Sequence, residues 1–457
     1  MDLTAQQRRA ATLAALLGNA LEWFDFAVYG YVATPLGHAF FPAEDPGLQA
    51  LAAFGVFAVG YLMRPVGSLV LGPIGDLLGR RNMLSLSIVL MGAASLLIAL
   101  LPTHAQWGAG AGLALLGLRM VQGFSVGGEF TGSMTYATEA APPGQQGLLA
   151  SLATAGGLVG FSLGSLTVAL LARSLGDAAM DAWGWRLPFA LGGLVAFLGL
   201  WMRRRMPETL EPHHSDPQPA GAVGLLRAMG GRLAKVRQQG PLVLRIIALV
   251  SFANVVFYVL FVYLVDYSAH QPGSSLAQAD TTSTVIQTIG LPLVLLGGVL
   301  ADRWGKLQVN RLGTLLLALV TPIALPVVQL AGPSGLVMGQ LLGVLPVMMS
   351  MGGQGVLAVE WVPVRQRCTV FSIAYSLAMA LFAGTAPVVC SWLLEEQGWQ
   401  WGPALYCCLF ALPAWWALKG QGPRAKDQEP RPSPRSGGLF CRQPPARRSG
   451  PTTTHCR

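Results

Sequence analysis

Long apolar runs separated by short polar stretches cover most of the chain. Each run holds about 20 residues or more, the length that an α-helix needs to cross a hydrocarbon core about 30 Å thick. Because lipid offers no hydrogen-bond partners, such runs form helices rather than open strands. We therefore predict an all-α membrane protein with twelve transmembrane helices in two pseudo-symmetric six-helix halves. The predicted spans are 12–41, 50–73, 83–102, 108–137, 147–173, 183–202, 242–267, 282–301, 311–330, 335–357, 368–394 and 400–418.

The composition supports a membrane protein. Only 11% of the 457 residues are charged, whereas a soluble domain carries about 25%. The first run is too long for the core of a signal peptide, so we expect it to remain as the first helix. The six cysteines show no metal or disulfide spacing. We also find no nucleophile constellation and no phosphate-binding loop, so we predict neither an enzyme nor a bound cofactor or metal.

The Lys and Arg residues are distributed unevenly between the two sides. Most of the 30 lie at the N-terminus, at Arg80 and Arg81, in 203–237, near Lys306, and in the tail from Lys419 onward. Cytoplasmic loops carry the excess of such residues. We therefore expect both termini to be cytoplasmic in a cell inner (plasma) membrane. The tail accounts for much of the net charge of +9, so the basic balance does not indicate a nucleic-acid partner.

The same pattern divides the chain into four regions. They are an N-terminal six-helix bundle (1–202), a cytoplasmic linker (203–240), a C-terminal six-helix bundle (241–418) and a disordered basic cytoplasmic tail (419–457). The linker contains His213–His214, which we interpret as part of a solvated segment rather than as metal ligands. The tail is too rich in Pro, Arg, Ser and Gly to bury a core.

Two motifs recur in both halves at a nearly constant spacing. Residues 72–81 are matched by 298–306, and Glu139 is matched by Glu360. A duplicated six-helix unit is typical of transporters whose substrate site lies between the halves near mid-membrane. The aspartate of such a turn favours the N-terminus of a neighbouring helix, either to gate the transporter or only to lock its structure. The predicted gating residues are Gly72, Asp76, Gly79, Arg80, Asp302 and Arg303.

Four charged residues are predicted near the middle of the membrane: Glu22 and Asp25 on one helical face, Arg64, and Arg119. A rise of about 1.5 Å per residue places Asp25 about 18 Å from Leu13. A charge at that depth costs at least about 2.5 kcal/mol unless it faces a partner or a wet cavity. A carboxylate beside Arg can exchange its proton as its surroundings change. We therefore predict proton coupling, with sodium coupling and a purely structural ion pair as alternatives.

Further candidates follow from the fourth and seventh runs. Glu129 lies nearer the cytoplasmic end of the fourth run, where it either passes a proton or locks two helices. The arginines predict a solute with a carboxylate, because a guanidinium pairs with a carboxylate through two hydrogen bonds. Aromatic residues of the seventh run either pack or surround a quaternary ammonium group. The predicted substrate-binding residues are Arg64, Arg119, Asn254, Tyr258 and Tyr263.

Three motifs together resemble those of a known family. They are Gly-Asn-Ala-Leu-Glu-Trp-Phe-Asp-Phe at 18–26, Arg-Met-Val-Gln-Gly-Phe-Ser-Val-Gly-Gly-Glu at 119–129 and Trp-Gly-Trp-Arg-Leu-Pro-Phe at 183–189. The chain resembles the metabolite:proton symporter family of the major facilitator superfamily over about residues 12–418. The resemblance implies the twelve-helix major facilitator fold and the uptake of a small polar metabolite with a proton.

Within that family the halves resemble different branches. Residues 23–26 and 127–132 are most similar to proline/betaine transporters. Residues 371–378 resemble the citrate and dicarboxylate branch about equally well. Leu77 and Gln146 depart from basic residues of the family pattern, which weakens the expected lock of the first half. The tail lacks the heptads of the osmosensing members, so we expect no osmotic control by that route.

The leading hypothesis is a monomeric transporter that takes up a carboxylate-bearing solute with a proton. One alternative is proton-driven export by the same superfamily, against which the buried cations Arg64 and Arg119 argue when the exported drug is itself a cation. Another alternative is a transporter-derived sensor. A sensor needs a folded output domain, and neither the linker nor the tail has the composition to form one.

Overall fold

The computed structural model describes residues 5–41, 46–205, 207–209, 221–269, 271, 276–330 and 334–419, and within them it contains helices and no strand. The pair His213–His214 and nearly all of the tail lie outside the described residues. The N-terminal half contains α1 (Ala5–Tyr31), α2 (Ala33–Phe40), α3 (Pro46–Leu77), α4 (Arg80–Leu100), α5 (His104–Trp107), α6 (Ala109–Ala140), α7 (Gln146–Leu175), α8 (Asp177–Ala179), a π-helical turn (Met180–Gly184) and α9 (Arg186–Arg204).

The linker and the C-terminal half follow in the same way. The elements are α10 (Gly221–Gln238), α11 (Gly240–Tyr258), α12 (Leu264–Ala269), α13 (Leu276–Trp304), α14 (Lys306–Leu330), α15 (Gly335–Trp361), α16 (Arg367–Ala378), α17 (Ala386–Ser391), α18 (Gly402–Leu409) and α19 (Ala411–Ala417). A π-helical turn at Val259–Tyr263 joins α11 to α12, and another at Met379–Ala383 follows α16.

The predicted spans correspond to these helices. In the described part of the chain, nine helical segments are long and apolar enough to cross a membrane. The segments α1–α2, α3 and α18–α19 occupy the remaining places among the twelve spans. On α9 the side chains of Leu194, Phe197 and Leu198 are at least 60% exposed. Such a continuous apolar surface is favourable against lipid and unfavourable against water.

The helices of the first half pack closely where the sequence is rich in glycine. A Cβ added at Gly123 would collide with the backbone of Gly60, and one added at Gly127 would collide with the carbonyl of Arg64. Small residues at such crossings let helices approach each other in a membrane. Helices α3 and α6 are thereby held together at mid-length, with Arg64 beside their contact.

The halves contact each other chiefly through α3 with α16 and through α7 with α13. The turns that follow α3 and α13 lie at one end of the molecule, together with Arg80, Lys306 and Arg367. We call this end the basic end. The linker differs from the predicted polar segment, because it contains α10 and because α9 continues through Arg204. Helix α10 packs against α3 and α16 at the basic end.

Candidate functional site

At the basic end, Asp76 joins the two halves. Its carboxylate accepts hydrogen bonds from the backbone N–H groups of Cys368 (3.2 Å) and Thr369 (2.8 Å) and from the Thr369 hydroxyl (2.6 Å). These groups form the first turn of α16, where a negative charge interacts favourably with the helix dipole. The carboxylate also pairs with Arg80 at 2.7 Å. Asp76 thus holds the C-terminal half against the N-terminal half.

Asp302 makes the equivalent contact from the second half. It accepts hydrogen bonds from the backbone N–H groups of Gly147 (2.7 Å) and Leu148 (2.9 Å), in the first turn of α7. The repeat found in the sequence therefore places two aspartates on two helix N-termini, each across the boundary between the halves. Arg303 is exposed at this end.

A second layer of contacts surrounds the two aspartates. Arg80 and Arg367 both pair with Glu139, at 3.4 and 3.2 Å. In the other repeat, Lys306 pairs with Glu360 and donates a hydrogen bond to Gln146 at 2.6 Å. Gln146, a departure from the family pattern, therefore accepts a hydrogen bond from the opposite half where a basic residue would contribute charge.

The glycines of the first turn have identifiable geometric roles. A Cβ at Gly72 would collide with the backbone of Thr369, so this glycine lets α3 approach α16. Gly79 has a φ of 101°, a backbone conformation that glycine adopts without strain. The turn between α3 and α4 is tight as a result, and it brings Arg80 within hydrogen-bonding distance of Asp76.

Near mid-length, Arg64 is enclosed by aromatic rings. Its guanidinium lies 4.2 Å from the ring centre of Tyr61, 4.7 Å from that of Phe26 and 5.6 Å from that of Trp23. The side chain is only 4% exposed. Its Nε and Nη2 atoms have no hydrogen-bond partner among the described residues. These two nitrogens form one edge of the guanidinium, with both N–H donors pointing the same way.

Arg64 also lines a narrow cavity between the two halves. Phe130 and Thr131 contribute from α6, and Tyr375 and Ser376 from α16. The rings of Phe130 and Tyr375 lie 5.0 Å apart across this boundary. The cavity is therefore bounded by a cation from one half and by aromatic rings from both halves.

Asp25 is connected to Arg119 by a chain of hydrogen bonds inside the first half. The Ser95 hydroxyl donates to Asp25, and the Gln122 amide donates to that hydroxyl at 2.8 Å. Arg119 in turn donates to the Gln122 carbonyl at 2.7 Å. Arg119 also lies over the ring of Tyr29, and it shares the ring of Phe26 with Arg64. Ser95 and Gln122 thus lie between the Asp25 carboxylate and the Arg119 guanidinium.

The other predicted carboxylates lie in the same bundle, nearer the basic end than Asp25. Glu22 is 2% exposed, and neither of its carboxylate oxygens has a hydrogen-bond partner among the described residues. Glu129 pairs with Arg203 of α9. Both carboxylates belong to the interior of the N-terminal half rather than to the boundary between the halves.

The substrate-binding residues predicted in the seventh run separate into two groups. The Tyr258 hydroxyl lies 3.3 Å from the Tyr61 hydroxyl, next to Arg64. Asn254 accepts a long hydrogen bond from Tyr375, at 3.4 Å. Tyr263 instead packs near Tyr267. Among the described residues that line the cavity at Arg64, none of these three is present, so Tyr258 and Asn254 contact only its surroundings.

Sequence reasoning missed several residues of this region. Tyr61 and Tyr375 lie in apolar runs, where an aromatic residue gives no signal of its own. Ser95 and Gln122 are small or neutral, although their polarity at mid-span is a signal that the sequence offered. Arg203 stands at the start of a basic run and looks like a solvated residue, yet it is 1% exposed.

The sequence matches the profile of the Major Facilitator Superfamily over residues 15–359. The chain belongs to the major facilitator superfamily. Its relatives include a putative proline/betaine transporter of Staphylococcus haemolyticus, 34% identical over 408 residues, which covers 88% of this chain and 85% of the relative. The glycine betaine/proline/ectoine/pipecolic acid transporter of Dickeya dadantii is 33% identical over 414 residues, 88% of this chain and 81% of its own.

Solved structures agree with this assignment of the major facilitator fold. The proton:xylose symporter XylE bound to 6-bromo-6-deoxy-D-glucose superposes with a TM-score of 0.70 at 20% identity, over 91% of this chain and 95% of that one. The predicted fold is confirmed, and so is the prediction of a multi-pass membrane transporter rather than an enzyme. The names of these relatives belong to the proline/betaine branch, one of the two branches that the motifs left open.

Proposed function

We propose that this major facilitator takes up a small carboxylate-bearing solute together with a proton. The observation that carries the proposal is the Nε and Nη2 edge of Arg64, which is buried beside the cavity between the halves without a protein partner among the described residues. A buried donor left unsatisfied is costly. A carboxylate accepts two parallel hydrogen bonds from such an edge. A bound solute would therefore supply what the described residues do not.

The surroundings of Arg64 favour a zwitterion over a dicarboxylate. Phe130 and Tyr375 present aromatic rings on the same cavity, and aromatic faces attract quaternary ammonium groups. We propose that the solute carboxylate binds Arg64 while its cationic end lies against these rings. The names of the two relatives above, a proline/betaine transporter and a glycine betaine/proline/ectoine/pipecolic acid transporter, support this class of substrate.

For the coupling ion we propose a proton carried by Asp25, with Glu22 and Glu129 as further carboxylates on its route. The Ser95 hydroxyl suits this role, because it has one proton and can either donate to an ionised Asp25 or accept from a protonated one. When it accepts, its own proton can go to the Met91 carbonyl, 2.9 Å away. Asp25 therefore keeps a hydrogen bond in both protonation states.

We propose further that the basic end faces the cytoplasm of a bacterial inner membrane, with both termini on that side. The excess of Lys and Arg at this end supports the orientation. The contacts of Asp76 and Asp302 then close the cytoplasmic side, and release of solute requires them to break. Gly72, Gly79 and Arg80 shape the first of these contacts, and Arg303 borders the second.

Transport assays test the substrate class directly. The purified full-length protein is placed in vesicles with an imposed pH gradient, acidic outside, and uptake of labelled proline, glycine betaine, citrate and 2-oxoglutarate is measured. We expect accumulation of proline or glycine betaine and little of the two acids. Accumulation of the acids alone would favour the dicarboxylate branch. Uptake restricted to neutral sugars would contradict the role proposed for Arg64.

Replacement of Arg64 by Gln is expected to weaken substrate binding. Hydrogen bonds to charged groups contribute about 1.5–3 kcal/mol, so KM should rise about tenfold or more. Arg204→Gln is the matched control, because Arg204 is an exposed arginine at the end of α9. An Arg64→Gln variant that is folded, inserted and has the native KM would exclude a direct contact with the solute.

Replacement of Gln122 by Leu is expected to uncouple Arg119 from Asp25. It removes the donor to Ser95 and the acceptor of Arg119 at nearly constant volume. Because the link between Arg119 and Asp25 is then broken, we expect accumulation driven by a pH gradient to fall toward equilibrium. Thr138→Val is the control on α6, where the hydroxyl bonds a carbonyl of its own helix. Native accumulation by Gln122→Leu would rule out the hydrogen-bonded chain as a coupling element.

A further inference from the structure

A second cavity lies entirely within the N-terminal bundle. It is enclosed by α1, α4, α6 and α9, and its lining includes Glu22, Asp25 and Glu129. It shares no lining residue with the cavity at Arg64. The carboxylates and the proposed substrate position therefore face different cavities.

Two glycines create the space around these carboxylates. A Cβ added at Gly192 would collide with Asp25 at one end of the cavity. A Cβ added at Gly18 would collide with the side chains of Glu129 and Arg203 at the other end. Gly18 lies one helical turn from Glu22, on the same face of α1. The three carboxylates therefore follow one another from mid-length toward the basic end.

Glu22 lies between the other two carboxylates and is buried. Both of its carboxylate oxygens lack a hydrogen-bond partner among the described residues, and the side chain lines the cavity. A buried carboxylate normally has hydrogen bonds or a paired charge. Its position suits a group that receives a proton from one side and passes it to the other.

Arg203 closes the basic end of this cavity. It lies in the last turn of α9, yet its guanidinium turns inward and contacts both oxygens of Glu129, with Nη1 3.1 Å from Oε2. It also donates to the carbonyl of Leu84. The next two residues, Arg204 and Arg205, are exposed. Arg203 is therefore the boundary between the cavity and the surface at the basic end.

We propose that this cavity is the route by which the transported proton reaches the cytoplasm, separate from the substrate path, and that Arg203 is the positioning residue at its exit. The inference rests on the proton symport proposed above. The proton leaves the Asp25 carboxyl, forms an O–H bond on Glu22 and then on Glu129, directly or through water. Protonation of Glu129 removes one charge of its pair with Arg203. The guanidinium can then turn toward the surface, and Glu129 releases the proton there.

The test compares two transport modes of the full-length protein in vesicles. One is exchange of labelled for unlabelled solute without a gradient. The other is accumulation of solute driven by a pH gradient of one unit across the membrane. The probe is whichever of proline, glycine betaine, citrate and 2-oxoglutarate the native protein takes up fastest. For one proton per solute, such a gradient sustains about tenfold accumulation. A residue with only a packing role would lower both modes together.

Gly18→Ala and Arg203→Gln are expected to retain exchange while accumulation falls from about tenfold toward equilibrium. Arg203→Lys should restore part of the accumulation. Gly30→Ala is the matched control on α1, because a Cβ there meets no atom within 4 Å. Native accumulation by both Gly18→Ala and Arg203→Gln, or an equal loss of both modes, would overturn the inference. Absence of gradient-driven uptake by the native protein would instead overturn the proposed symport.

Discussion

Asp25→Asn should abolish gradient-driven accumulation while exchange of solute continues. Asparagine has nearly the shape of a protonated aspartate but cannot gain or lose a proton at this position. The Ser95 hydroxyl keeps a partner, and Arg119 keeps its contacts with Gln122 and with the rings of Phe26 and Tyr29. The variant should therefore fold and insert. With a gradient of one pH unit, we expect the accumulation ratio to fall from about tenfold to about one.

The opposing hypothesis gives Asp25 a purely structural role. Loss of its charge would then leave buried arginines uncompensated, which typically costs about 3–5 kcal/mol, and expression would fail. Asp181→Asn is the control, because this aspartate pairs with His38 in an exposed position where a salt bridge contributes little. A well-folded Asp25→Asn variant with normal accumulation would eliminate Asp25 as the proton carrier and leave Glu22 and Glu129.

Asp76→Ala should open the basic end of the transporter. The substitution removes four hydrogen bonds, three of them to the first turn of α16 in the opposite half. Loss of a helix-capping group alone costs about 0.5–2 kcal/mol, so the population that is open at this end should increase about 2- to 30-fold. Cys368, whose backbone N–H bonds Asp76, is a fully buried free cysteine. Its thiol should become accessible to reagents when this end opens.

The measurement is the rate at which a membrane-impermeant maleimide modifies Cys368, followed by peptide mass spectrometry. We expect the rate to increase by about the same factor as the open population. Asp302→Ala, which disrupts the equivalent contact with α7, should expose Cys368 as well, whereas Asp181→Asn should not. If Cys368 reacts at the native rate in both Asp76→Ala and Asp302→Ala, these contacts do not hold the basic end closed.

The fold could be predicted from the sequence because its determinants are local and repeated. Apolar runs of sufficient length form α-helices in lipid. The repeat of 72–81 at 298–306 indicated the two halves. The helices observed extend beyond the predicted spans at the basic end, as α3 and α13 do. Hydropathy marks only the apolar part of a helix, whereas α13 continues past Asp302, which is bonded to α7, as far as Trp304.

The candidate site was predicted in part. Charges in apolar runs are conspicuous, so Glu22, Asp25, Arg64 and Arg119 were recognisable. Their arrangement was not, because it depends on contacts between distant residues such as Tyr61 with Tyr258. Arg203 was hidden for the opposite reason. Its place in a run of three arginines indicates that the side chain is exposed to solvent. The side chain instead points inward, where it pairs with Glu129 on another helix.

The proton flux that accompanies uptake tests the central claim most directly. Vesicles with a pH-sensitive dye inside receive solute outside, with no imposed gradient, and the internal pH is followed alongside entry of the labelled solute. Our account predicts that the interior acidifies as solute enters, that a protonophore abolishes the change, and that Asp25→Asn lacks it. Entry of solute with an alkaline change, or with no change in native vesicles, would contradict proton symport.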